Sequence, residues 1–195
     1  VWCNEQGRTF GSVADTNGTG WALVNRTNDG GAVLVSMIAY LNNADAGDHD
    51  LTFNIAGGTA TGYVEVIEES EVTTDAYVSG QSAGAGGYVG SQASGDVTPS
   101  QADCTVYGFG AQYIAIGAGV LAQSAPWTDL TTYESGIYNT RIARQEPGDT
   151  DPIGVTWAKA SGTSPIVSQV VVLKQSASGS TQPPRTYYSN RRRRL

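Results

Sequence analysis

The sequence predicts an all-β fold: an antiparallel β-sandwich of about ten strands followed by an extended C-terminal arm. Two observations predict the sandwich. Apolar runs are short and alternate at every second position, and they are broken by gaps in which Gly, Asn, Asp, Ser and Thr collect. No stretch repeats its apolar residues with helical spacing. The 25 glycines of the 195-residue chain fall between the runs and therefore read as turns. A chain of this length buries a core as one domain without staples. We place the sandwich at residues 1–175 and the arm at 176–195.

Residues 32–67 carry the clearest pattern. Val33, Val35, Met37, Ala39 and Leu41 share one face, with Leu34, Ile38 and Tyr40 on the other. This predicts a strand buried on both sides. Leu51, Phe53 and Ile55 alternate with polar neighbours, and Val64 and Val66 alternate with Tyr63, Glu65 and Ile67. Together the three runs predict an antiparallel meander at the centre of the sandwich.

Before it, residues 1–3 read as a strand end and 8–13 and 21–24 as strands. Asn17-Gly18 favours a hairpin between the last two. From 73 to 99 the composition turns to Gly, Ser, Ala and Gln, which predicts a long loop, and such loops are usually functional or mobile. Tyr77 and Tyr88 are its candidate partner contacts. Residues 103–109 and 112–117 read as two strands, and 118–132 as a loop with a helical turn near 120–123. Residues 136–145 predict a strand with one wet face, and 153–159 and 165–173 are further strands.

Only 15% of residues are charged, which suits a chain packed against others. The net charge of −7 is unevenly spread, because Arg185, Arg191, Arg192, Arg193 and Arg194 lie in the last eleven residues. Without them six basic residues face 18 acidic ones, a body of about −12 that repels nucleic acid. Tyr187 and Tyr188 stand beside the arginines, and Tyr and Arg are favoured interface anchors. The arm is therefore read as docking a partner, nucleic acid or an acidic groove on a protein, with a merely solvated end as the alternative.

No apolar run approaches a membrane span. The N-terminus lacks the basic and apolar regions of a signal peptide, and it begins without Met, so the chain is read as processed, trimmed or incompletely known. Cys3 and Cys104 fit no metal or CxxC spacing and read as two separate buried thiols, with a single disulfide between them as the alternative.

Catalytic chemistry finds little material. His49 is the single histidine, without a GxSxG or HExxH context, and reads as a solvated or turn-capping residue. Asp45, Asp48 and Asp50 lack calcium-loop spacing and suit a turn. Glu65, Glu68, Glu69 and Glu71 read as a solvated acidic strand end rather than a glycosidase pair. Asn17 and Asn25 head glycosylation-like triplets that no secretion signal supports. No cofactor, metal or catalytic set is expected. Trp21 and Trp157 lie in strands and read as core. Trp127, after Pro126, is the candidate for an exposed glycan contact, with Tyr133 near it.

The order of pieces resembles a family of jelly-roll-like sandwich proteins encoded by tailed phages and bacteria. The matching stretches are Asn4-Glu-Gln-Gly-Arg-Thr-Phe10, Tyr40-Leu-Asn-Asn43, Ala46-Gly-Asp-His-Asp-Leu-Thr-Phe53, Val64-Glu-Val-Ile-Glu68 and Val170-Val-Val-Leu-Lys174. They are turn and strand signals spread over residues 1–174, so they speak to fold more than to function. The resemblance implies a jelly-roll-like sandwich and a non-enzymatic virion component. It points to a capsid decoration or cementing protein on the capsid surface, a homotrimer bound to the major capsid protein. The alternative is a carbohydrate-binding or host-adhesion sandwich of a tail or head fibre. A sandwich hydrolase is a third reading, weakened by the single histidine and the lack of a recognisable nucleophile.

Overall fold

The computed structural model describes residues 9–17, 20–28, 34–42, 47–56, 64–69, 72–84, 87–113, 121–123, 126–134, 138–175 and 185–188. Within them the chain is all-β, with antiparallel sheets and no helix. Fourteen strands are present rather than about ten. They are β1 (Thr9–Asp15), β2 (Ala22–Asn28), β3 (Val35–Tyr40), β4 (Leu51–Ala56), β5 (Glu65–Glu68), β6 (Val72–Gly84) and β7 (Ser91–Ala93). Then follow β8 (Cys104–Tyr113), β9 (Leu121–Gln123), β10 (Thr128–Glu134), β11 (Tyr138–Gln145), β12 (Thr156–Lys159), β13 (Ile166–Gln175) and β14 (Arg185–Tyr188).

A five-stranded sheet, β10-β11-β8-β13-β6, forms the middle of the sandwich. Its inner strands are buried on both faces, which is why the apolar run in β13 is nearly continuous. Val106, Ala143, Ile166, Val170 and Val172 face the three-stranded sheet β7-β12-β9 and pack on Trp157, Leu121 and Val155. On the opposite face, Tyr107, Phe109, Ile142 and Val171 meet Ile38 of β3 and Ile67 of β5. Beyond β3, Val35 and Met37 point outward onto Val13, Leu23 and Phe53, so the β1-β4 pair adds a further layer.

Two glycines of β8 set the spacing of the first interface. A Cβ on Gly110 would lie 2.5 Å from Trp157 Cδ2, and one on Gly108 would lie 3.1 Å from the Val155 side chain. Only bare backbone lets the indole lie flat on the sheet.

The structure corrects several expectations. Residues 32–67 form no meander: β3 pairs with β2, β4 with β1, and β5 with β14. β1 and β2 are accordingly not paired as a hairpin, and Gly18 of the expected turn lies outside the described residues. The expected long loop at 73–99 largely disappears, because β6 is a thirteen-residue strand paired along β13 from Gly84↔Val167 to Val72↔Gln175. β13 supplies the hydrogen-bonding partner, so small polar residues suffice in β6, and local composition is overridden by context. The two strands read at 103–109 and 112–117 are one strand as far as Tyr113. The helical turn near 120–123 is strand β9, and 128–134 is strand β10 instead of loop. The wet face of 136–145 is covered, since Asn139 and Ala143 are fully buried beneath β9 and β12. Residues 1–3 lie outside the described residues.

Candidate functional site

The feature that joins the tail to the body is β14. Its four residues pair antiparallel with β5, in the register Arg185↔Glu68, Thr186↔Ile67, Tyr187↔Val66 and Tyr188↔Glu65. A segment from the basic arm thus extends the edge of the most acidic strand in the chain, with a cationic residue at the register position opposite an anionic one.

The platform under β14 is held from below by carboxylates. Glu65, Ile67 and Glu69 share one parity and face the central sheet. Thr131 Oγ1 of β10 donates to Glu65 Oε2 at 2.8 Å. Tyr107 of β8 donates its hydroxyl to Glu69 Oε2. The Glu69 side chain is only 7% exposed, and Arg144 Nη2 stands 4.0 Å from its other oxygen. The same guanidinium binds Glu146 at 2.7 Å. Burial, and then the Glu69 hydrogen bond and charge, push the Tyr107 hydroxyl above its ordinary value of 10, with Arg144 opposing weakly. The arrangement keeps Tyr107 a neutral donor and anchors β5 to the sheet. The expectation of a solvated acidic strand end therefore fails for Glu65 and Glu69, although Glu68 is exposed.

A second polar cluster ties the turns after β1 and before β4. Asp15 Oδ2 accepts from Trp21 Nε1 at 3.0 Å and lies 2.7 Å from His49 Nδ1. Its Oδ1 accepts the Asn17 N–H at 3.1 Å, and Asn17 in turn donates to the Asp48 carbonyl. Burial raises the Asp15 carboxyl, but the hydrogen bonds from Trp21, Asn17 and His49, with the His49 charge, outweigh it and hold the group below its ordinary 3.8. His49 is thus half-buried and paired rather than solvated. Asp45 lies outside the described residues. Among those described, no three His, Cys, Asp or Glu side chains gather to hold a metal ion.

Other expected site residues scatter. Trp127 is only 8% exposed and sits in the core with Trp157 and Leu121. Its expected role as an exposed glycan contact is corrected, because a ring packed in the core offers no face to a sugar. Tyr88 is 62% exposed, whereas Tyr77 lies within β6. Trp157 is core, as expected, and Trp21 is half-buried with its indole bound to Asp15. Cys104 is a buried free thiol, and Cys3 lies outside the described residues, as do Arg191, Arg192, Arg193 and Arg194. The inward carboxylates were detectable in the sequence, because Glu65 and Ile67 have the same strand parity. The identity of their partners was not, since Tyr107, Thr131 and Arg144 come from three other strands.

No family model, curated protein or solved structure matches this chain.

Proposed function

We propose that the chain is a non-catalytic structural protein of a phage particle. In this reading it is a decoration or cementing protein on the capsid surface, bound to the major capsid protein and to copies of itself, and its C-terminal segment acts as the clasp. The observation that carries the reading is β14 lying along β5. Strand addition recognises an edge through main-chain hydrogen bonds and needs little side-chain specificity. A segment that adds to its own β5 is equally able to add to the β5 of a neighbouring copy, and head-to-tail exchange of that kind closes rings such as a trimer. The buried polar groups support the same reading, because they join layers. Glu65 binds Thr131, Glu69 binds Tyr107, and Ser36 binds Gln169.

Deleting residues 176–195 tests the proposal. The truncated protein keeps its sandwich by circular dichroism and thermal melting, but cosediments with shells of the encoding phage about tenfold less, because the tethered second contact is lost. Unchanged binding to the particle by the folded truncation rejects the clasp. The adhesion alternative loses its proposed anchor with the burial of Trp127.

A further inference from the structure

Two buried nitrogens stand out on the face of the central sheet covered by β12. Lys159 Nζ and Asn139 Nδ2 are both shielded from solvent, and neither has a hydrogen-bond partner among the described residues. A buried donor left unmade is expensive, and such groups in native proteins call for an explanation.

Register brings the two together. Val155 lies over Gly108 and Trp157 over Gly110, so the next inward residue of β12, Lys159, follows over Gln112. Gln112 is the direct β8 partner of Asn139 in β11. From the other side, Lys159 pairs with Leu121 of β9, and the Leu121 N–H donates to Asn139 Oδ1 at 3.4 Å. Lys159 and Asn139 therefore share two neighbours, one in each sheet.

We propose that Lys159 and Asn139 form an intramolecular isopeptide bond. The neutral Lys159 amine attacks Asn139 Cγ, and a C–N bond forms as the carbonyl electron pair moves onto Oδ1. The Leu121 N–H already points at that oxygen and stabilises the developing charge. Collapse of the tetrahedral intermediate breaks the Cγ–Nδ2 bond. The proton lost by the amine passes to Nδ2, and one ammonia leaves for each amide made, with no oxidant or cofactor. Glu134 stands directly opposite Asn139 in the β10–β11 pair but is exposed and lies 4.0 Å from Arg141 Nη2, so the proton passes from the amine to the departing nitrogen without a carboxylate relay. The product removes both orphan donors at once, because Nδ2 departs and Nζ becomes an amide nitrogen.

The environment favours the nucleophile. Burial lowers the Lys159 amine below its ordinary 10.5, with no carboxylate contributing an opposing pull. The amine shares the inward face of β12 with the fully buried Trp157. An attacking lysine must be unprotonated, and desolvation is the usual means of making it so.

The test is the intact mass of the purified full-length chain under denaturing conditions, followed by tryptic mapping. The expected mass is lower than that of the sequence by one ammonia. Mapping should recover a branched peptide joining the Asn139 and Lys159 segments, uncleaved after Lys159. Lys159→Met restores the sequence mass. Loss of the bond also lowers the thermal midpoint by on the order of 10 °C, because the cross-link no longer constrains the unfolded chain. A wild-type mass equal to that of the sequence overturns the proposal whether or not the variant folds. So does an ammonia loss that persists in Lys159→Met or maps to Asn17-Gly18, where succinimide formation gives the same mass.

Discussion

The two faces of the central sheet are held by different physics. Toward β7-β12-β9, contact is made chiefly by shape, with Trp157 lying on the bare backbone of Gly110 and surrounded by Val106, Leu121 and Val170, and with hydrogen bonds that each use a backbone group, from Ser168 to the Val155 carbonyl and from the Leu121 N–H to Asn139. Toward β3 and β5, apolar contacts are interleaved with hydrogen bonds that each cross between layers, from Tyr107 to Glu69, Thr131 to Glu65 and Ser36 to Gln169. A face fitted by volume tolerates no change in size, whereas a face tied by polar pairs tolerates no loss of a single partner. The second should respond to alkaline pH through Tyr107.

The largest effects belong to the fitted face. Trp157→Ala leaves a cavity under the sheet and costs about 3–5 kcal/mol in denaturant melts. Gly110→Ala drives a methyl into the same indole and costs about 1–3 kcal/mol or more. Combined, the two substitutions should cost clearly less than their sum, because the cavity accepts the methyl. Simple additivity would show that Gly110 and Trp157 do not share one constraint.

Tyr107→Phe comes next. It leaves Glu69 buried without its donor and costs about 1–3 kcal/mol at neutral pH. The pH profile sharpens the comparison. The folded hydroxyl is held above 10, so the unfolded chain gives up this proton first. The contribution is fully present below pH 10 and is lost progressively above it. Tyr107→Phe should flatten that alkaline fall, while Trp157→Ala should leave its shape unchanged. An identical alkaline slope in wild type and Tyr107→Phe would remove Tyr107 from the account.

The smallest effect lies at the rim. The Asp15 carboxyl is held below 3.8 in the folded chain, so its contribution is present above that value and lost as the pH falls through the lower, folded one. His49→Ala removes two of the influences that lower it, the hydrogen bond and the charge. Acid titration of the Asp15 carboxyl by NMR should then move upward toward 3.8, with the rest of the fold unchanged.

The same contrast explains what could be read from the residues. β13 was legible because a strand buried on both sides draws apolar residues to both parities, and Val170–Val172 supply them. β6 was not, because its order comes from the partner it pairs with, and Gly80, Ser82 and Ala83 resemble a loop when read alone. Alternation located the strands in 32–67 but gave no information on pairing, since parity specifies a face and not a neighbour. Trp127 was misplaced for the same reason, as a Pro-Trp turn shows no sign of the sheet that closes over it. For the carboxylates, parity is a better guide than composition, since Glu65 shares the inward face of Ile67. Lys159 and Asn139 read as ordinary strand residues, because their significance is a juxtaposition across two sheets.

The position of β13 in the chain has a consequence for synthesis. It is the last strand to enter the central sheet, yet β8 and β6 both hydrogen-bond to it. Until residue 175 clears the ribosome, each of those strands presents an unmet backbone edge, and β13 emerges as a greasy segment of the kind that stacks with its own copies. Pairings this distant along the chain close slowly. Yield in a host should therefore respond to expression rate and to chaperone supply more than to the stability of the finished protein.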